Sequence, residues 1–313
     1  MPCMIQLCPF SAMRLIIVPA VFLAASLCFG AAIAASPTAP GPEPAKKLFG
    51  KAHKPAKLKP ASFGTYNRGC LAGAEHLSAD GPAWQSMRLK RNRQWAHPVM
   101  IEYLKKLAID VQAAGFWRGL LVGDLSQPRG GPMLTGHASH QIGLDADIWL
   151  MEMPKKRLSK KRRNSISAVS VIRDRAHINP KIWSVKHAKL LKQAASYDQV
   201  ERIFVHPAIK KALCDWSEGQ KRDWLRHIRP WYGHHYHFHV RMKCPKSMKF
   251  CRNQPPPPPG DGCDSERLSW WLSDKPYRKA KPSKTKPKKK YKPKPPITLA
   301  DLPEQCAEVI EAK

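Results

Sequence analysis

The chain has 313 residues, with 54 Lys and Arg against 23 Asp and Glu, for a net charge of +31. Charge of that size implies a polyanionic neighbourhood. Beyond the N-terminal stretch no segment is long and apolar enough to cross a bilayer, which argues against a membrane-spanning mature chain, and the remaining length suits one domain with appendages.

Residues 1–34 read as a secretory signal. Arg14 precedes an apolar run from Leu15 to Leu27, and small residues end at Ala32-Ile33-Ala34-Ala35. The signal takes Cys3, Cys8 and Cys28 with it and leaves Cys70, Cys214, Cys244, Cys251, Cys263 and Cys306. An even set of cysteines in an exported chain implies disulfides, without fixing the pairing. Export also means that the available polyanions are cell-wall polymers and lipid head groups, not nucleic acid. Residues 35–63, rich in Pro, Lys and Ala, read as a disordered basic linker.

The folded domain is expected over 64–274, beginning near Tyr66-Asn67-Arg68-Gly69-Cys70. After His97-Pro98, Met100, Leu104, Leu107 and Val111 recur at helical spacing, and Gly115 stops the pattern. Leu120-Leu121-Val122 reads as a short strand, and Gln127 to Pro132 as a turn-rich loop. Lys155 to Arg163 reads as a solvated basic insertion. Residues 185–195 form an amphipathic helix, Arg202 to Val205 a strand and Ala208 to Cys214 a helix; Asp223 to His227 ends another helix before Pro230. His206 and His227 read as surface or core histidines. Pro255 to Pro259 is a polyproline stiffener. Residues 275–296, rich in Lys and Pro, cannot bury a core and read as disordered, whereas 297–313 contain a terminal helix.

Two segments carry the chemistry. In Leu144 to Leu150, Leu144, Ala146, Ile148 and Leu150 alternate with Asp145, Asp147 and Trp149, a strand with one apolar face. His140 belongs to the loop entering it. Further on, His237 and His239 are two apart, so on a strand both point to one side. A loop imidazole, a strand carboxylate and a second strand's imidazole make the ligand set that a catalytic zinc prefers, with a fourth position for water.

The segments GHASHQIGLDADIWL, RIFVHPAIKKALC, DWLRHIRPWYGHHYHFHVRMKCP and PPPPPGDGC resemble the penicillin-insensitive murein endopeptidases. More broadly, His140, Asp147 and His237-x-His239 look like the metal motif of the LAS metallopeptidases, a group sharing the hedgehog-type fold. The resemblance runs from Gly64 to Cys306. It implies an α+β fold, a small antiparallel sheet flanked by helices and tied by Cys70–Cys306, Cys214–Cys263 and Cys244–Cys251. It also implies a zinc endopeptidase of the periplasm acting on the D-alanyl–meso-diaminopimelyl cross-link of peptidoglycan.

On this reading His140, Asp147 and His239 bind Zn2+. His237 is the general base or acid, and His234 steadies charge developing on the carbonyl oxygen. His137 matches a residue counted among the family's metal ligands, with a hydrogen-bonding support role as its rival. Asp174 and His177 match a further metal pair of the family. His235 is expected to face solvent, and Ser139 lies in no nucleophile elbow. A zinc D,D-carboxypeptidase or amidase would use the same residues. A non-enzymatic metal- or polyanion-binding envelope protein would explain the charge alone. The Lys-rich tail is a candidate tether to anionic envelope polymers.

Overall fold

Alternation of apolar and polar side chains along three neighbouring strands builds the central sheet. The computed structural model describes residues 42–278 and 294–313; the expected signal (1–34), the start of the linker and residues 279–293 of the Lys/Pro-rich segment lie outside them. In chain order the elements are α1 (Ala45–Gly50), β1 (Ala61–Thr65), β2 (Arg68–Ala72), β3 (Glu75–His76), β4 (Asp80–Gly81), β5 (Trp84–Ser86), β6 (Trp95–Ala96), α2 (Pro98–Ala113), β7 (Leu120–Val122) and β8 (Asp145–Trp149). There follow α3 (Lys160–Ser165), α4 (Val185–Ala195), β9 (Val200–Val205), α5 (Pro207–Trp216), β10 (Ile228–Pro230), β11 (His237–Met242), α6 (Glu266–Leu272) and α7 (Gln305–Glu311).

The architecture is α+β. A seven-stranded sheet runs β10-β9-β11-β8-β7-β5-β4, with small pairs β1-β2 and β3-β6 beside it. Most neighbours are antiparallel; β5–β7 and β9–β10 are parallel. Ala146 and Ile148 of β8, Phe238 and Val240 of β11, and Ile203 and Val205 of β9 all turn into one core with Leu104, Leu107 and Val111 of α2 and Leu190 and Leu191 of α4. The intervening residues, Asp145, Asp147, His237, His239, Arg241, Arg202 and Phe204, therefore share the other face.

Helix α2 begins as expected. His97 is its N-cap, with Nδ1 accepting from Val99 N–H at 3.3 Å, and Pro98 fills the first turn. His206-Pro207 repeats the device at the start of α5, where Ala208 N–H donates at 3.2 Å.

The disulfides join Cys70 to Cys306, Cys214 to Cys263 and Cys244 to Cys251, the pairs that the resemblance implies. Cys244–Cys251 closes a loop just after β11, and Cys70–Cys306 ties α7 to β2.

Several expectations need correction. Residues 42–63 are not a disordered linker. Phe49 of α1 is fully buried in a second core with Cys70, Cys306 and Val309, Ala45 N–H donates to Ile297 O at 2.8 Å, and β1 already starts at Ala61. The Lys- and Pro-rich composition hid a helix whose apolar face is covered by the distant C-terminus. The basic insertion is not wholly solvated: Arg163 is buried and donates to Asp80 at 2.9 Å. Asp223–His227 is a 3-10 turn, and Ile228–Pro230 joins the sheet edge as β10. Within the expected disordered segment, Lys275–Tyr277 forms a 3-10 turn. No helix among the described residues is long and apolar enough to cross a membrane.

Candidate metal centre

Strand β8 delivers Asp147, and its antiparallel neighbour β11 sets His239 directly opposite, so the register itself makes the pair. His239 Nδ1 lies 3.2 Å from Asp147 Oδ1. The loop before β8 delivers His140, whose Nε2 is 3.5 Å from the same oxygen. His140 sits in the left-handed region at φ 66°, rare for a residue with a side chain, and is held there by Asp145, which accepts its N–H at 2.9 Å. Gly143 makes the turn possible: a Cβ there would meet His97 N at 2.7 Å and the Leu71 side chain at 2.5 Å.

Ligand atoms of His137, His140 and Asp147 all lie within 4.8 Å of one another. His137 Nε2 is 3.6 Å from Asp147 Oδ2 and also 3.1 Å from Asp124 Oδ2, to which it is hydrogen-bonded. His237, two residues before His239, puts Nε2 3.7 Å from Asp147 Oδ1. The structure thus gathers His137, His140, Asp147, His237 and His239 at one point. Asp174 and His177 do not join this cluster. They pair with each other at 2.7 Å on an exposed turn, where Asp174 Oδ1 also accepts from Ala176 and His177 N–H at 3.0 Å.

The cluster fits a cation. Both ring nitrogens of His140 and Oδ1 of Asp147 are buried without a hydrogen-bond partner among the described residues. Buried polar atoms of this kind are rare unless something else satisfies them. Burial alone would raise the Asp147 carboxyl, but His237 and His140 hold it well below the usual carboxylate range. It is therefore ionised. Burial pushes the His237 imidazole below its ordinary value, against the pull of Asp147.

A supporting layer was missed in the sequence. Asp145, fully buried, accepts from His239 Nε2 at 3.0 Å and from Arg241 Nε and Nη2 at 2.8 and 3.1 Å. This leaves the His239 Nδ1 lone pair aimed at Asp147, the usual way a carboxylate orients a ligating imidazole. The alternation that put His237 and His239 on one face put Asp145 and Arg241 there too, so the signal was available. Asp124 had no such signal: it gathers His137, Arg91 at 2.9 Å and Arg93 at 3.0 Å across separate loops.

His234 stands above the cluster, its ring 4.9 Å from that of His237, at φ 51° and with Nδ1–H donating to Tyr232 O at 2.5 Å. His235, expected in solvent, is half-buried with Nδ1 2.9 Å from Ser170 Oγ. His206 is a buried helix cap, and His227 Nδ1 donates to Glu201 O at 2.9 Å. A cleft of about 320 Å³ opens beside Asp147 and His237, walled by Arg88, Arg91, Trp149 and Tyr236.

Buried imidazoles and a carboxylate converging beside an open cleft are the kind of donor set that could hold a metal ion. The family model described as penicillin-insensitive murein endopeptidase matches residues 62–311. Among relatives bearing that name, the Haemophilus influenzae protein is 44% identical over 230 residues, 73% of this chain and 80% of the relative. The Citrobacter koseri protein is 39% identical over 251 residues, 80% of this chain and 86% of the relative. The Salmonella newport protein is 40% identical over the same span. The chain belongs to the penicillin-insensitive murein endopeptidase family.

Proposed function

We propose that the chain is a zinc endopeptidase of the periplasm that hydrolyses the D-alanyl–meso-diaminopimelyl bond between cross-linked stem peptides of peptidoglycan. One observation carries the reading: unpartnered His140 Nε2 and Asp147 Oδ1 face each other at 3.5 Å inside the protein, with His239 Nδ1 3.2 Å from the same oxygen. Leaving such groups unsatisfied costs about 1–3 kcal/mol each, and one divalent ion would satisfy both and take His239 Nδ1 as a third ligand. His140, Asp147 and His239 would hold it, with His137 either joining them or, through Asp124, orienting the edge of the site. Zinc, when bound, polarises a carbonyl oxygen and acidifies water.

The chain's own groups do the rest. Asp145 fixes the His239 ring and Arg241 fixes Asp145. His237 takes the proton of the attacking water and returns it to the leaving amine. His234 has its Nδ1–H committed to Tyr232 O, and burial drives the imidazole to about 3, so it would donate to the developing oxyanion only by turning its ring to release that N–H. The cleft beside His237 seats the peptide. Asp174 and His177 would serve a peripheral ion only by giving up their mutual hydrogen bond. The basic segment 275–296 would hold the enzyme to anionic envelope polymers.

The substrate class is carried over from the relatives' names. The test is a digest: the mature protein with zinc should turn muropeptide dimers into monomers, chelator should stop it, and penicillin should not. Persisting dimers with zinc present contradict the reading, and release of free D-alanine from monomers would mark a carboxypeptidase instead.

A further inference from the structure

The sheet carries a row of side chains away from the metal ligands. Register pairs Asp147 with His239, His239 with Phe204, and Phe204 with Arg229, and paired residues share a face. Strands are about 4.8 Å apart, so Arg229 stands on the order of 10 Å from His239 across the sheet. There, at the β10 edge, a groove of about 280 Å³ is lined by Arg202, Arg229 and Arg267, with Phe204, Trp231 and the polyproline segment as walls.

Two of the three cations, Arg229 and Arg267, are not neutralised; Arg202 is paired with Glu201 at 3.4 Å. Asp261 is taken by Arg222 at 2.6 Å. Arg229 and Arg267 have no carboxylate within ion-pair distance among the described residues, and residues 1–41 and 279–293 contain no Asp or Glu. Arg202 Nε is buried without a partner. Burial, and then the like charges of Arg267 and Arg202, push the Arg229 guanidinium below its ordinary value. The walls are fixed: Arg226 grips Pro257 O at 2.7 Å, and Arg241 donates to Gln254 at 2.7 Å. Unpaired guanidinium forks against a fixed aromatic and proline wall are a preorganised receptor for a planar anion.

We propose that this groove is a carboxylate subsite. It takes a free carboxylate carried on the stem peptide about three residues from the bond being cleaved, since an extended residue spans about 3.3–3.6 Å. The inference rests on the endopeptidase reading above and adds where the substrate is anchored. Phe204, between His239 and Arg229, is the step over which the peptide passes.

The test compares muropeptide dimers with free and with amidated stem carboxylates, using zinc-loaded mature protein, Arg229→Gln and the more exposed Arg267→Gln. Expected is a wild-type KM about 10- to 100-fold lower for the free form, the effect of a lost charge-assisted contact, with kcat unchanged. Each variant should raise KM for the free form toward that of the amidated form and leave the amidated form alone. Equal wild-type KM values, or variants that raise both alike, overturn the proposal. A binding arm needs no turnover: calorimetry with the uncross-linked tetrapeptide, free and amidated. Arginine-dependent preference for the free peptide without any dimer cleavage would sink the endopeptidase reading and leave the subsite standing. Tight binding of polyglycerol phosphate, with no preference between the two peptides, would mean a phosphate-polymer site and overturn the carboxylate assignment.

Discussion

Replacing Asp145 by Ala tests the layer beneath the proposed metal ligands. The carboxylate is fully buried and receives Arg241 twice, His239 Nε2 and the His140 N–H, at 2.8 to 3.1 Å. Burial would raise its pKa, but Arg241 and then His239 drive it far below the ordinary range, so it is charged at neutral pH. Removing one partner of a buried ion pair costs about 3–5 kcal/mol, because the guanidinium is left buried and alone. For a domain of this size that is roughly 6–20 °C in Tm. The same change frees the His239 ring and should weaken zinc binding about 10–100-fold. Thermal unfolding and zinc titration read the two effects separately. The double variant Asp145→Leu, Arg241→Met should recover most of the stability and none of the zinc affinity. A single variant less than about 1 kcal/mol below wild type would refute the reasoning.

Four further outcomes follow. His237→Gln should lower kcat about 10²–10⁴-fold while zinc content, by elemental analysis, stays at the wild-type level. Phe49→Ala should cost about 3–5 kcal/mol in urea unfolding, since α1 belongs to the fold; a neutral result would restore the linker reading. His97, driven to about 4 by burial, folds neutral, so the unfolded chain binds the extra proton. Its contribution, on the order of 3 kcal/mol, is present above its unfolded value and lost as pH falls from about 6.5 toward 4; His97→Asn, which caps without titrating, should flatten that part of the stability profile. Replacing Cys214 and Cys263 by Ser should cost about 2–5 kcal/mol in unfolding under oxidising conditions.

The ligand cluster was legible because alternation along a strand is a strict rule. Asp147 and His239 each follow from period two, and His140 is placed in the loop entering the strand because it precedes Gly143; its left-handed backbone had no such signal. The same rule held Asp145 and Arg241, which escaped notice only because a buried carboxylate–guanidinium pair has no spacing signature of its own. Where partners lie far apart in the chain, the sequence was silent. Asp124 meets His137 and two arginines across loops, and Phe49 is covered by residues near the C-terminus. The arginine groove draws on β9, β10 and α6, and only the strand register reveals that it continues the row begun by Asp147.

Anomalous diffraction at the zinc edge, from crystals of the mature protein grown with zinc, tests the central claim most directly. The account predicts a peak about 2.0–2.2 Å from His140 Nε2, an Asp147 carboxylate oxygen and His239 Nδ1, with a fourth position open. An active enzyme with no ion there, or with its ion bound only at Asp174 and His177, would contradict it.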